Sequence, residues 1–173
     1  MSQTYSTKKL AFLGLMLAIM IILIMVERML PPLPMLPPQF GKIGLANVIV
    51  MYIFFFMSRK EAFMMVILKA LFNALLRGPI AGFPSLVGGV LSISFILILC
   101  WIFKDKISYV ALSIAGAIGH NIGQLAAACV LSQSWILFVA YFPIILIAGA
   151  IFGTVTGIFL KIIMPVFERI YRH

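Results

Sequence analysis

Residues 43–76 read IGLANVIVMYIFFFM, then SRKE, then AFMMVILKALFNALL: two apolar runs parted by four residues, three of them charged. The same alternation continues outward in both directions. Apolar segments cover Leu10 to about Leu30, Ile43–Met57, Ala62–Leu76, Leu86–Phe103, Ser108–Leu131 and Trp135–Ile163. Six membrane-crossing helices are predicted, the second and third short for a hydrocarbon core of about 30 Å. The gaps decide the orientation. With the N-terminus inside, the cytoplasmic side receives Lys8, Lys9, Arg59, Lys60, Lys104, Lys106, Lys161, Arg169 and Arg172, and the opposite side only Arg28, Lys42 and Arg77. This positive-inside bias predicts an all-α integral membrane protein of six transmembrane helices, both termini cytoplasmic. It forms one domain over residues 1–173, a multi-pass protein of the cell membrane.

Composition bounds the function. The chain is 64% hydrophobic and 10% charged, with a mean hydropathy of +1.21. A soluble domain of 173 residues would need far more polar surface, and six spans leave room for no extramembrane catalytic module. The net charge of +9 lies mainly in cytoplasmic-type loops, where it sets topology and meets anionic lipid heads, so no nucleic-acid partner is implied. Cys100 and Cys129 lack zinc or redox spacing and read as small core residues. Leu10–Val26 follows Lys8 and Lys9 as a signal peptide would. No small-residue cleavage site comes after it, and it reads as a retained first span.

The connections differ in kind. Four are tight: Ser58 to Glu61, Lys104 to Lys106, the Gly78-Pro79 to Pro84 turn, and Ser132 to Ser134. The first outer loop is longer and carries five prolines between Pro31 and Pro38. Proline fixes φ and removes amide donors, so this loop is stiff. It suits equally a lid over an outward-facing pocket and a rigid spacer on the lipid headgroups.

Polar residues at membrane depth are the candidates for function. Lys69, Asn73 and Arg77 are spaced i, i+4, i+8 and share one face of the third helix. On the fifth, His120 and Gln124 share a face beside Asn121. Asn47 lies near the outer end of the second span, and Glu27 and Arg28 end the first. All of these fall in the outer half of the membrane. Each has an ordinary structural use. Single amides hydrogen-bond across helices for about 0.6 kcal/mol, Arg77 can snorkel to headgroups, and Glu27 can neutralise Arg28 or Lys42. Lys69 is harder to absorb. Its nearest obvious acid is Glu27, about two helical turns higher in the membrane, and a buried ammonium without a carboxylate must lose its proton, snorkel or take up an external anion. A site for a small anionic or amphipathic molecule is therefore expected. No metal or cofactor site is indicated.

Small residues at helical spacing form a second pattern: Gly14 and Ala18 on the first helix, Gly119 and Gly123 on the fifth, and Gly149, Gly153 and Gly157 on the sixth. In lipid such stripes let backbones approach closely, usually inside one protein. On the first helix the stripe could instead receive a partner's helix.

Gly44-Leu45-Ala46-Asn47, the segment Lys69 to Arg77, Gly88-Gly89 with Ser92, and Gly116-Ala117-Ile118-Gly119-His120-Asn121-Ile122-Gly123-Gln124 together resemble the integral-membrane Gx transporter family. That family is often labelled heptaprenyl diphosphate synthase component I and is grouped with the substrate-binding S-components of energy-coupling factor (ECF) transporters. The resemblance runs from about Leu10 to Leu160, and His120 to Gln124 is its most specific part. It implies a six-helix bundle that binds a vitamin or related small molecule near the outer face, with the first outer loop as lid. It also implies that small residues on the first helix contact a coupling subunit. Gly14 and Ala18 match that spacing with Ala11 near the same stripe, although the usual alanine pair is here a glycine and an alanine.

The synthase label meets a chemical obstacle. Prenyl transfer holds diphosphate through Mg²⁺ on aspartate-rich motifs, because Mg²⁺ takes hard oxygen ligands. This chain has one aspartate, Asp105, and the dispersed Glu27, Glu61 and Glu168. No catalysis is expected of it. The expected function is the solute-binding subunit of an ECF-type importer, with ATPases and a coupling protein as partners because the chain has no Walker loop. The alternatives are a non-catalytic membrane anchor of a redox or electron-transfer complex and an accessory of isoprenoid-quinone synthesis.

Overall fold

The computed structural model describes residues 7–29, 44–104 and 107–172. Those residues are all-helical: α1 (Thr7–Met29), α2 (Leu45–Phe56), α3 (Arg59–Arg77), α4 (Pro79–Phe103), α5 (Tyr109–Ser132) and α6 (Ile136–Arg172). Four helices are long and apolar enough to cross a membrane: α1, α4, α5 and the Ile136–Ile163 part of α6. Their outer faces carry large apolar side chains such as Ile22, Ile98, Val139 and Ile147, a surface suited to lipid. The proline-rich stretch, with Lys42, Asp105 and Lys106, lies outside the described residues.

Local chemistry explains the joints. Gly78, at φ +86°, ends α3, and Pro79 at once opens α4 with the φ a first turn needs. The expected turn from Gly78 to Pro84 is therefore a single residue, and 79–85 are already helical, with Pro84 inside α4. Ser108 caps α5 by accepting from the Ala111 amide at 3.2 Å. Gln133, left-handed at φ 52°, closes its other end. α6 runs on past Ile163 to Arg172.

α2, the shortest helix among the described residues, lies inside the bundle. Val48 through Phe54 are all buried, and the helix meets α1, α3 and α6. A helix apolar on every side belongs inside a bundle. Met16, Met20, Tyr52, Ile53 and Met65 form the centre of that core.

The largest interfaces are α5–α6, α4–α5 and α3–α4, and glycines set them. A methyl group on Gly123 would lie 2.7 Å from the Gly88 Cα, and one on Gly153 would lie 2.5 Å from the Ile114 Cα. Methyl groups on Gly149 and Gly157 would lie 3.1 Å from the Ile118 Cα and 2.8 Å from the Val110 Cα. These backbones touch, and the stripes on α5 and α6 are internal. Ser92 also serves here, buried against Gly116. Cys129 is buried and Cys100 half-buried.

The stripe on α1 behaves differently. Ala11, Gly14 and Ala18 are all exposed, and a methyl group on Gly14 would meet nothing within 4 Å.

One ion pair ties α1 to α3. Lys9 Nζ lies 2.5 Å from the carboxylate of Glu61, which is 2% exposed. Ser58 Oγ donates to the same carboxylate. Burial pushes the Glu61 carboxyl up, but the hydrogen bonds from Lys9 and Ser58 and the Lys9 charge outweigh it, so the group stays below its ordinary value.

Candidate functional site

A cavity of about 490 Å³ opens between the ends of α1, α2 and α4 and the C-terminal halves of α3 and α5. Eight of the nine residues singled out as substrate contacts line it: Glu27, Asn47, Lys69, Asn73, Arg77, His120, Asn121 and Gln124. Arg28 does not. One position along α1 from Glu27 is a rotation of about 100°, and its side chain is exposed.

Lys69 is 6% exposed and donates from Nζ to Asn47 Oδ1 at 2.5 Å. This bond joins α3 to the first turn of α2. One helical turn on, Asn73 uses both amide hydrogens: Nδ2 donates to the Lys69 carbonyl at 3.1 Å and to Ser85 Oγ at 3.0 Å. Its Oδ1 is left as an acceptor. Arg77, a turn further, is exposed at the rim and makes no ion pair among the described residues.

From α5, His120 is 7% exposed, with Nδ1 facing α4 where a methyl group on Gly88 would come within 2.8 Å. The same methyl group would press on the His120 carbonyl and Gln124 Cγ, each at 2.8 Å, so the absence of a side chain at residue 88 is what seats both residues. Asn121 Nδ2 reaches the Ile145 carbonyl on α6 at 3.4 Å, a long bond that anchors its amide to that helix. Gln124 is half-buried, and its amide makes no hydrogen bond among the described residues.

Glu27 has a definite task. Its carboxylate accepts the amide of Leu45, the first residue of α2, and so satisfies an orphan donor at a helix N-terminus. The acid is thus engaged by a helix end. The opposing N-terminus, that of α4, brings Ile80 and Ala81 to the cavity wall and adds partial positive charge. Two basic side chains line this cavity, and the helix N-terminus adds partial positive charge where an anion could sit. Ile24, Leu131 and Phe152 give it apolar walls.

Ser85, Ile24 and Phe152 were not singled out from sequence. Ser85 had a usable signal, since it precedes Gly88 and Gly89 by three and four residues and so shares their inward face. Ile24 and Phe152 had none, being apolar residues in apolar helices.

A family model described as heptaprenyl diphosphate synthase component I matches residues 16–163, most of the chain. No curated protein and no solved structure matches.

Proposed function

The chain belongs to the heptaprenyl diphosphate synthase component I family, and on that premise we propose that it is a solute-binding membrane subunit working in the manner of an ECF S-component. It takes a small anionic or amphipathic solute into the cavity beside Lys69 and passes it inward when a partner supplies the energy. The proposed topology is six spans with cytoplasmic termini, so that the cavity faces outward beneath the proline-rich loop. One observation carries the reading: Lys69, Arg77, His120, Asn73 and Gln124, from two different helices, line one cavity. Its volume of about 490 Å³ lies within the usual range for small-molecule sites. The exposed Ala11, Gly14 and Ala18 stripe supports docking to a coupling subunit, because small residues facing lipid offer a seat for a second helix.

The family description favours a second reading, a membrane component that accompanies a synthase. The single aspartate of the chain argues that such a component would be non-catalytic. Both readings require a partner. Affinity purification in mild detergent with native mass spectrometry separates them. ATPases, a coupling protein and a retained small anion support the importer subunit; a soluble prenyl synthase without them supports the second reading.

A further inference from the structure

A second cavity, of about 550 Å³, opens on the outside of the bundle where the first half of α3 meets α4. Its walls are apolar, formed by Phe63, Met64 and Ile67 of α3 with Leu97 of α4. At one end stand Arg59 and Lys60, both exposed, whose side chains make no ion pair among the described residues. By helical spacing this face of α3 lies more than a quarter-turn from the face bearing Lys69, Asn73 and Arg77. The groove is thus separate from the site above.

Its two ends differ in chemistry, one basic and one apolar. The lining runs from residue 59 to residue 68, a helical rise of about 14 Å. The cations occupy its first turn, and the apolar residues 63–68 extend about 8 Å beyond them, enough to seat the upper part of a hydrocarbon chain. A small water-soluble anion would use the two cations and leave the trough empty. A plain hydrocarbon would fill the trough and leave the cations idle. A molecule with an anionic head and an apolar tail uses both. We infer that this groove binds an anionic phospholipid, its acyl chain lying along Phe63, Met64, Ile67 and Leu97 and its phosphate paired with Arg59 and Lys60. Arginine engages phosphate oxygens through two parallel N–H groups, and the first-turn amides of α3 add partial positive charge at the same end. The basic pair belongs to the loop that the charge distribution assigns to the cytoplasmic leaflet, where anionic lipids concentrate.

The test is native mass spectrometry of the delipidated full chain, titrated with phosphatidylglycerol or with phosphatidylcholine of identical acyl chains. One phosphatidylglycerol should be retained more tightly than phosphatidylcholine, and millimolar inorganic phosphate should not displace it. Replacing both cations (R59Q with K60Q) should weaken the first phosphatidylglycerol by about 5- to 30-fold, at about 1 kcal/mol per basic residue, while phosphatidylcholine is unaffected. K60Q alone should show the lower end of that range. Filling the trough by Ile67→Trp should weaken both lipids with the cations intact. Equal retention of the two lipids, or phosphatidylglycerol binding unchanged in R59Q with K60Q, overturns the proposal. Loss on cation removal without loss in Ile67→Trp also overturns it, leaving a basic patch and no groove site.

Discussion

Lys69 on α3 donates to the amide oxygen of Asn47 on α2 at 2.5 Å, two residues beyond the Leu45 amide that Glu27 of α1 accepts. Three helices are thereby joined at the wall of one cavity. The bond to Asn47 orients Nζ at the cavity wall. That arrangement suits a group meant to meet an anion.

Lys69→Met should therefore weaken the molecule retained by the purified protein by roughly 10- to 150-fold, the equivalent of about 1.5–3 kcal/mol for a charge-assisted hydrogen bond. Occupancy in native mass spectra measures this. Thermal unfolding in detergent should show that the variant still folds. Unchanged occupancy would assign Lys69 to helix–helix bonding alone.

The glycine stripes should part company under substitution. Gly123→Leu forces a side chain into a space where even a methyl group would lie 2.7 Å from the Gly88 Cα, and should cost at least about 1–3 kcal/mol of stability. Gly14→Leu with Ala18→Leu should leave the isolated protein within about 0.5 kcal/mol, since both positions are exposed. The same pair should abolish co-purification of a coupling subunit. Aggregation of the pair in detergent would give the α1 stripe a packing role instead.

Removing one partner of the Lys9–Glu61 pair should loosen α1 from α3. Glu61→Gln should cost about 1–3 kcal/mol, because Lys9 then keeps a partly buried charge without its counter-ion. The pH dependence has a definite sign. The Glu61 carboxyl lies below its ordinary value in the folded protein, so its contribution is fully present above the unfolded carboxyl pKa, about 4.3, and is lost as pH falls through the lower folded value. Thermal unfolding between pH 7 and pH 3 should show this loss in the native chain, with the Glu61-specific part missing from Glu61→Gln.

Single cysteines test the topology. Placed at Ser58 or Lys104, they should react with an impermeant maleimide only after the cytoplasmic side is opened; one at Pro34 should react in intact cells. Reversal at either side would turn the cavity inward and end the importer reading.

The helices were legible from the apolar runs, and their unequal lengths had a local cause in the charged and proline-bearing gaps. The site was legible to a lesser depth. Spacing alone put Lys69, Asn73 and Arg77 on one face and His120 with Gln124 on another. The early start of α4 was missed because Gly78-Pro79 signals a turn and a helix start equally well. Arg28 does not line the cavity with Glu27, because adjacent residues at a helix end share a depth while pointing about 100° apart.

By itself, then, the sequence determined which segments are helical and which residues share a face of each, since both follow from local periodicity and from the cost of backbone groups in lipid. Tertiary structure alone decided that the faces of α3 and α5 open onto the same cavity, that Glu27 is taken by the amide of Leu45, and that the glycines of α5 and α6 are covered while Gly14 is bare. The physical reason is that a helix carries its pattern of faces with it but not its rotation. Rotation is set where backbones meet, at contacts such as Gly88 with Gly123, between residues far apart in the chain.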